Sequence, residues 1–316
     1  MKKTAVILFN LGGPDSLEAV QPFLENLFND PDIFKLPFQK TLAAFISKKR
    51  APKVAEEYKL IGGKSPLGYW TELQRSLLES RLRQINSKVD VFVAMRYWKP
   101  LTAETAKIVA EREYEKLILL PLYPHFSKST TGSSFNEWKR CFDKDIPTAF
   151  IRNYQANEHY VKALNSKIDE GLKLFPEDIR KDVQLVFSAH GTPQSYVKQG
   201  DPYSFQIQQT VYEIMNLRGS AHEHHVCYQS KVGPMKWLEP STADTIKRLS
   251  SEGKKHLLII PVSFVSDHVE TLFELNIEYR HVADKCGIKT FFVMPGLNDS
   301  PLFVDALFSL IINQVE

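Results

Sequence analysis

Cysteine is scarce in this sequence of 316 residues, which contains only Cys141, Cys227 and Cys286. The three lie far apart and match no CxxC spacing, and an odd number leaves one thiol outside any disulfide scheme. Unpaired thiols are typical of a reducing compartment. We therefore expect neither a disulfide framework nor a structural metal site built from cysteine.

Long apolar runs and an excess of one charge are also missing. No stretch approaches the roughly 18 apolar residues of a membrane-spanning helix. The N-terminal run MKKTAVILFNLGGP is interrupted by Asn10 and Gly12, which favours a buried strand over a secretory signal. The formal net charge is only +3, with basic and acidic residues interspersed, which excludes a nucleic-acid surface over the whole molecule. These absences predict a cytoplasmic protein without a nucleic-acid partner.

What the sequence does contain is a series of short apolar runs separated by amphipathic stretches. Runs this short, apolar on both faces, are typical of parallel strands that are covered by helices. The strands are predicted at residues 5–9, 89–95, 117–123, 148–151, 183–188, 225–228, 257–264 and 290–294. This number of strands suggests two sheets of four.

An internal comparison supports the two sheets. Residues 102–121, TAETAKIVAEREYEKLILLP, align without a gap on residues 242–261, TADTIKRLSSEGKKHLLIIP. The first strands match as well, because VILFNLGGP (6–14) aligns with LVFSAHGTP (185–193). Chance similarity between amphipathic segments explains one match better than two in the same order. The pattern therefore indicates a duplicated four-strand unit.

The predicted fold is α/β, with two similar Rossmann-like lobes, each a four-stranded parallel sheet flanked by helices. We place the N-terminal lobe at residues 1–157, the C-terminal lobe at 158–299, and a C-terminal helix that packs back on the body at 300–316. Ligands of open α/β sheets bind outside the carboxyl ends of the strands. We therefore expect an active-site cleft between the lobes, lined by the residues that follow each strand.

One residue with catalytic potential follows the fifth predicted strand. His190 lies in FSAHGTP, where Gly191 and Pro193 mark a turn that leaves the imidazole at the end of the strand. Near neutral pH an imidazole carries protons or binds a metal ion. A histidine packed into the turn is the alternative. The repeat has Leu11 at the equivalent position, however, so the turn itself does not require an imidazole.

The second candidate segment is SDHVETLFELNIEY, residues 266–279. In a helix it places Glu270, Glu274 and Glu278 along one face, where like charges repel and add nothing to helix stability. A solvated acidic stripe is one interpretation, and a carboxylate row that relays protons outward or brings cations inward is the other. A histidine with a carboxylate suits a transiently bound Fe(II), Co(II) or Zn(II) ion. We predict that His190 and Glu270 face one cleft and handle such an ion.

Two further surfaces stand out in the sequence. Aromatic, basic and Ser-rich segments at residues 61–66, 96–100, 123–134 and 228–240 suit a flat apolar ligand with carboxylates, with core packing as the alternative. Residues 33–53 join an apolar helical face to Lys48, Lys49 and Arg50. That segment is interpreted as a helix packed on its lobe, a flap over an anionic ligand, or a lip that contacts an anionic membrane.

With these motifs assembled, the chain resembles the ferrochelatase family, whose members insert ferrous iron into a porphyrin in the last step of haem synthesis. The resemblance runs from NLGGPDSLEAV near the N-terminus to the C-terminal region. It includes KRAPK, IGGKSPL, RYWKPLT, YPHFSKSTTGSS, SAHG with GDPY, QSKVGPMKWL and SDHVETLFELNIEY. Each motif is weak alone, but their common order is specific.

The resemblance implies roles for individual residues. His190 and Glu270 are the implied catalytic residues and metal ligands. A path for protons or metal is assigned to Asp267, His268, Glu274 and Glu278. Substrate binding is assigned to Leu11, Arg50, Tyr58, Ser65, Arg96, Tyr97, Tyr123, Gln229, Ser230, Trp237 and Phe264. Among these, Arg50 and Ser65 resemble contacts to the porphyrin propionates.

The same resemblance implies the ligands. Protoporphyrin IX and Fe2+ are the expected substrates, and no cofactor is expected to be permanently bound. Some relatives hold a 2Fe-2S cluster with cysteines of a C-terminal extension and one internal cysteine. This sequence ends at Glu316 and has Lys128 at the position of the internal cysteine, so no cluster is predicted. A homodimer and a peripheral contact with the inner membrane stay open.

Three alternatives remain beside this reading. A hydrolase that uses Ser188 or Ser195 with His190 lacks a GxSxG turn and leaves the acidic row unused. A non-catalytic two-lobed carrier of porphyrin or metal fits the architecture. Chelatases for coproporphyrin III or sirohydrochlorin differ chiefly in the number of substrate carboxylates, and the length and motifs favour protoporphyrin.

Overall fold

The computed structural model of the protein describes residues 2–219, 221–231 and 235–315. The chain divides into two compact units, the first formed by Met1–Tyr154 with Val304–Glu316 and the second by Gln155–Phe303. The domain limits predicted from the sequence, 1–157 and 158–299, lie close to these. The predicted division into lobes at 1–157 and 158–299, with a C-terminal helix at 300–316 that packs back on the body, stays a prediction.

The first unit contains a four-stranded sheet in which all neighbours are parallel. Its strands are β1 (Thr4–Asn10), β2 (Val89–Met95), β3 (Lys116–Pro121) and β4 (Thr148–Phe150), in the order β2-β1-β3-β4. Every residue of β1 is buried, as expected of a central strand that is covered by helices on both faces.

The second unit repeats this sheet. Its strands are β5 (Gln184–His190), β6 (His224–Gln229), β7 (His256–Pro261) and β8 (Thr290–Val293), in the order β6-β5-β7-β8, again all parallel. The strand order of the first sheet is therefore reproduced strand for strand. The predicted α/β fold with two four-stranded parallel sheets is confirmed.

Helices connect the strands in both units. The described α-helices are α1 (Val20–Phe28), α2 (Gln39–Leu60), α3 (Leu67–Arg83), α4 (Thr102–Ala110), α5 (Ser133–Cys141), α6 (Glu158–Leu172), α7 (Gln194–Lys198), α8 (Tyr203–Arg218), α9 (Thr242–Ser251), α10 (Tyr279–Lys285) and α11 (Pro301–Val315). A 3-10 helix covers Glu177–Asp182, and π-helices cover Lys128–Gly132 and Glu270–Glu278. Within the described residues, no helix combines the length and apolar character needed to cross a bilayer.

The two segments that align in the sequence occupy equivalent places in the two units. Residues 102–121 form α4 and β3, and residues 242–261 form α9 and β7. In each unit the chain after this strand, β3 or β7, continues into a π-helix that is followed by an α-helix. The duplication therefore extends past the strands to the residues that follow them, where function was expected.

Candidate active site

His190 is the last residue of β5, and hydrogen bonds fix its backbone. Its N–H donates to the Ser263 hydroxyl (3.0 Å), and its carbonyl accepts from the Tyr203 hydroxyl (3.0 Å). The N–H of Gly191 donates to the Gln229 carbonyl (2.8 Å), and a Cβ atom on Gly191 would lie only 2.6 Å from that oxygen. The side chain of His190 nevertheless stays 39% exposed. The turn therefore holds the backbone while leaving the imidazole accessible.

Glu270 faces the imidazole of His190. Its Oε2 lies 2.8 Å from Nδ1 of the ring, and the Phe264 ring stands edge-on to the same imidazole at 6.4 Å between centroids. Glu270 begins the π-helix that follows β7, and β7 pairs directly with β5. Parallel pairing therefore brings together two side chains that are distant in sequence. π-Helices are rare in proteins, and those that occur are often found at functional sites.

The His190–Glu270 pair is organised to hold a proton. Burial disfavours the imidazolium, but the Glu270 carboxylate outweighs burial and raises the pKa of His190. Burial also disfavours the Glu270 carboxylate, but the facing His190 outweighs it and lowers the pKa of Glu270 well below its usual range. The two side chains therefore favour the imidazolium–carboxylate form when a proton arrives.

Glu274 lies next along the acidic row and is held by neutral donors. Its carboxylate accepts from the N–H of Ser230 (2.8 Å), from the Ser230 hydroxyl (2.5 Å) and from the Tyr279 hydroxyl (3.2 Å). Burial, and then the charge of Glu270, raise the pKa of Glu274 to about 6. Two neighbouring carboxyl groups with separated pKa values are typical of sites that transfer protons.

The acidic row changes its exposure along the π-helix. Glu270 and Glu274 are partly buried, whereas Glu278 at the end of the π-helix is exposed. A stripe that is solvated throughout would not bury its first two members. The row runs from the partly buried Glu270, which contacts the imidazole of His190, to the exposed Glu278.

Asp267 lies before the π-helix and does not reach His190. Its carboxylate accepts from the side-chain amide of Asn298 (2.7 Å), the N–H of Gly296 (3.2 Å) and the Thr271 hydroxyl (3.0 Å). These donors connect the turn before the π-helix to the loop after β8. Its observed contacts are those of a residue that holds this turn.

His268 lies beside Glu270. Its Nδ1 is 3.1 Å from the Ser266 carbonyl, so this nitrogen carries the proton, and Nε2 lies 3.9 Å from Oε1 of Glu270. Burial lowers the pKa of His268. A neutral imidazole with a lone pair on Nε2 therefore faces the second oxygen of the carboxylate that His190 contacts.

In the first unit, Arg96 and Tyr97 follow β2 and converge on buried Asp30. The guanidinium of Arg96 lies 3.0 Å from the Asp30 carboxylate, and the hydroxyl groups of Tyr97 (2.6 Å) and Ser133 donate to it. Arg96 also donates to the Ser133 hydroxyl (2.8 Å). Tyr97 is 0% exposed. These residues form a closed network in which a cation compensates the carboxylate.

Four other predicted substrate residues, described next, also belong to the first unit. Leu11 follows β1, and its carbonyl accepts from the N–H of Tyr97 (2.9 Å). The N–H of Ser65 donates to the Pro14 carbonyl (2.8 Å). Tyr58 is buried, whereas Arg50 is exposed with its guanidinium over the Phe28 ring at 5.6 Å. Arg50 is therefore the most accessible of them.

The remaining predicted substrate residues are partly buried or fully hydrogen-bonded. Tyr123 follows β3, Phe264 follows β7, and Trp237 pairs with Pro193 through an isolated β-bridge; all three side chains are partly buried. Gln229 is the last residue of β6, and Ser230 follows it. The amide nitrogen of Gln229 and the N–H and hydroxyl of Ser230 point at Glu270 and Glu274.

Sequence reasoning missed several residues that hold these groups in place. Asp30 gave no signal, because it stands in a loop with no motif around it. Ser188, which the sequence offered only as a hydrolase nucleophile, donates to the Gln229 side chain, and its hydroxyl lies 2.7 Å from that of Thr242; neither residue was predicted to support the site. Tyr279 follows Glu278 directly, so the periodicity of the acidic row would have identified it as a neighbour.

The donor atoms of the site suit a loosely held cation. Within the part of the chain that the structure describes, no three His, Cys, Asp or Glu side chains are grouped as a metal site. His190 and Glu270 together offer one imidazole and one carboxylate. That set is typical of transient coordination of a first-row metal ion.

Comparison with known proteins identifies the family. The family model described as Ferrochelatase matches residues 3–315. The chain belongs to the ferrochelatase family. The ferrochelatase of Geotalea daltonii is 46% identical over 316 residues, which is 98% of this chain and 97% of that protein. The ferrochelatase of Gloeothece citriformis is 44% identical over 324 residues, which is 100% of this chain and 83% of that protein.

Solved structures agree with the fold. SirB from Bacillus subtilis with Fe3+ matches 99% of this chain and 96% of its own, with a TM-score of 0.56 and 13% identity. Identity this low supports the architecture only. The family resemblance and the prediction of an enzyme, a lyase of the porphyrin metal chelatase class, are confirmed by the family match.

Proposed function

We propose that this protein inserts Fe2+ into protoporphyrin IX, forming protohaem and releasing two protons, as the last step of haem synthesis. Family membership over residues 3–315 supports the reaction class. The observation that carries the proposal is the 2.8 Å contact between Nδ1 of His190 and Oε2 of Glu270 at the end of β5. It joins a proton acceptor to a carboxylate where the imidazole is accessible.

In the proposed reaction, His190 takes a pyrrole proton. Its Nδ1 is hydrogen-bonded to Glu270, which leaves Nε2 as the nitrogen that can accept a proton. Glu270 then stabilises the imidazolium, because the charges lie within hydrogen-bond distance. The second proton leaves by the same route once the first has passed to Glu274 and Glu278. Iron replaces both protons on the porphyrin nitrogens, so charge is conserved.

The roles of the other site residues belong to the same proposal. Leu11, Arg96, Tyr97, Tyr123, Trp237 and Phe264 would line the porphyrin site, with Tyr58, Gln229 and Ser230 behind it. The edge-on position of Phe264 against His190 supports its place beside the ring. The exposure of Arg50 supports a propionate contact, with Ser65 as the second one. His268 and Asp267 would accompany the path.

Residues of α2 support a peripheral contact with an anionic membrane. Phe38 is 88% exposed and Phe45 is 65% exposed, beside the exposed cations Lys48, Lys49 and Arg50. Exposed aromatics with adjacent cations are typical of segments that bind anionic lipid surfaces. In a flotation assay with vesicles of anionic lipid, the wild type should float with the vesicles, whereas the double variant Phe38→Ser/Phe45→Ser should stay in the unbound fraction. Equal flotation of both proteins would contradict the contact.

The absence of a 2Fe-2S cluster is also proposed. Cys227 is buried in β6, with its thiol 3.5 Å from the Phe187 carbonyl, and Cys141 and Cys286 are partly buried. Visible absorption of anaerobically purified protein tests this, because an iron–sulfur cluster would give the protein a visible absorption band. The homodimer also stays a prediction, which the molar mass from sedimentation analysis would test.

The decisive experiment is metallation by purified protein. Wild-type protein with protoporphyrin IX and Fe2+ under anaerobic conditions should produce the absorption spectrum of protohaem. His190→Ala and Glu270→Gln should each lower kcat by about 10²–10⁴-fold, the usual contribution of a positioned proton-transfer group. Wild-type rates in both variants would reject the assignment. Ser80→Ala, an exposed change away from the site, serves as the matched control.

Competition between porphyrins tests the substrate. Protoporphyrin IX and coproporphyrin III differ in their carboxylates, so equal mixtures in one assay compare kcat/KM directly. Preference for protoporphyrin IX is expected. Preference for coproporphyrin III would keep the chelatase and change its substrate, and tight binding without turnover would indicate a carrier.

A further inference from the structure

Ser230 adopts a backbone conformation that is unusual for a residue with a side chain. It follows the end of β6 with a φ of 63°, in the left-handed region that favours glycine. A non-glycine residue persists there when its surroundings enforce it, and such positions cluster at functional sites. The contacts that Ser230 makes show what the conformation achieves.

The left-handed conformation directs two donors of Ser230 at two carboxylates. Its N–H donates to Oε1 of Glu274 (2.8 Å), while its hydroxyl lies 2.5 Å from Oε2 of Glu274 and 3.1 Å from Oε2 of Glu270. The hydroxyl proton can be given to only one carboxylate at a time. Ser230 therefore donates either both hydrogen bonds to Glu274, or its N–H to Glu274 and its hydroxyl to Glu270.

Gln229 adds a third donor, whose orientation is fixed from behind. Its side-chain carbonyl accepts from the Ser188 hydroxyl (2.9 Å), and Ser188 in turn pairs with Thr242 (2.7 Å). The amide nitrogen must therefore point the other way, where it lies 3.3 Å from Glu270 and 3.4 Å from Glu274. Without the Ser188 contact, a flipped amide would place its oxygen against both carboxylates.

The donors that Ser230, Gln229 and Tyr279 supply are neutral. In the described residues, neither Glu270 nor Glu274 forms an ion pair with Lys or Arg, and His190 is the one basic side chain at hydrogen-bond distance. A lysine or arginine would hold the carboxylates equally well but would cancel their charge. Neutral donors fix their positions and leave the negative charge available to a cation.

We infer that Ser230, supported by Gln229, is a positioning residue that holds Glu274 beside Glu270 so that an arriving divalent metal ion meets two oriented carboxylates. The inference rests on the proposed function. It differs from the assignment of Ser230 and Gln229 to porphyrin binding, because it ties them to the metal and not to the ring. The two assignments predict opposite effects on the Michaelis constants for metal and porphyrin.

Two substitutions of Ser230 test the inference. Ser230→Ala and Ser230→Gly both remove the hydroxyl, but glycine adopts positive φ without strain and keeps the N–H contact with Glu274. Metallation of protoporphyrin is measured with Zn2+, with metal and porphyrin varied separately. We expect the KM for Zn2+ to rise roughly tenfold in both variants, and the KM for porphyrin to stay within about twofold.

A porphyrin-independent readout separates this inference from the proposed function. Binding of Co2+ to each protein without porphyrin, followed by visible absorption, should weaken roughly tenfold in Ser230→Gly. If the wild type binds Co2+ but metallates no porphyrin, the proposed function fails while the Co2+ titration still decides the role of Ser230. Unchanged Co2+ affinity with a raised porphyrin KM would overturn the inference in favour of a porphyrin contact.

Ser188→Ala extends the test to a residue that touches neither carboxylate. It frees the Gln229 amide to turn, so the KM for Zn2+ should rise in the same direction as in Ser230→Gly and by a smaller factor. Ser80→Ala should match the wild type in both titrations. An unchanged KM for Zn2+ in folded Ser230→Gly, with folding verified by thermal unfolding, would reject the positioning role.

Discussion

Each unit of the protein places two consecutive polar residues at the carboxyl end of its second strand along the chain, β2 or β6. Asn10 pairs with Met95 in the first unit and Ala189 with Tyr228 in the second, so Arg96 corresponds to Gln229 and Tyr97 to Ser230. In both units these residues donate to carboxylates. The scaffold is shared, and the charge of the donors is what differs.

The difference separates a structural carboxylate from a functional one. Asp30 is buried and compensated by the guanidinium of Arg96, so its charge contributes to the fold. Among the described residues, neither Glu270 nor Glu274 has a Lys or Arg partner. Glu270 instead pairs with His190, which is charged only when it is protonated, so its carboxylate is not permanently compensated. The two units therefore show that a permanent cation beside the carboxylate, and not burial alone, distinguishes the structural carboxylate from the functional ones.

Asp30→Asn should produce the largest effect, and the effect should be on stability. It leaves the guanidinium of Arg96 buried beside a neutral amide, with the Glu137 carboxylate at 3.6 Å as its remaining partner, so the free energy of unfolding should fall by up to about 3–5 kcal/mol. Urea unfolding measures it. Glu270→Gln is the matched change in the second unit and should lower the free energy of unfolding by less than Asp30→Asn does, because the imidazole of His190 can lose its proton whereas the guanidinium of Arg96 cannot. Equal losses in both variants would refute the contrast between the units.

Gln229→Lys should give the second unit the charge pattern of the first. An ammonium group beside Glu270 and Glu274 compensates them, so the KM for the metal ion should rise by about 10–100-fold, since charges about 4 Å apart interact with a few kcal/mol near a protein surface. Steady-state metallation with varied Zn2+ measures it. Gln229→Met keeps the volume without the charge and should raise the KM much less. Similar values for both variants would show that charge is not what matters.

The fold was almost wholly predictable, because it depends on patterns that lie along the chain. All eight predicted strands are present, and the internal repeat anticipated the identical order of the two sheets. The chemical pair was also anticipated, since His190 and Glu270 both follow strands of one parallel sheet. Such strands end at the same edge, so their following residues lie together.

The residues that set the charges of the site were less predictable. Asp30 meets Arg96 through contacts between distant loops, and no local pattern announces a buried ion pair. The π-helix was predicted only as a helix, because its i→i+5 hydrogen bonds have no distinct apolar period in so short a segment. The left-handed conformation of Ser230 was equally hidden, since serine gives no signal for positive φ.

Glu274→Gln should sharpen the comparison through pH. The pKa of Glu274 is raised to about 6 in the folded protein, so its protonated form stabilises the fold below pH 4.5 and this stabilisation is lost as the pH rises through 6. Glutamine does not titrate. Relative to wild type, the variant should therefore gain about 1–2 kcal/mol between pH 4.5 and pH 7. Urea unfolding at the two pH values measures the gain, and a constant difference would contradict the raised pKa.

Tyr279→Phe should have the smallest effect. It removes one neutral donor, the hydroxyl 3.2 Å from Glu274, and the carboxylate keeps both contacts with Ser230. The loss of stability should be below about 1 kcal/mol, and the pKa of Glu274 should rise slightly because a donor to the charged form is gone. Tyr97→Phe removes a donor to buried Asp30 at 2.6 Å, so it should cost about 1–3 kcal/mol. Urea unfolding measures the free energy of unfolding of both variants. A larger loss for Tyr279→Phe than for Tyr97→Phe would mean that Glu274, and not Asp30, is the carboxylate that stabilises the fold.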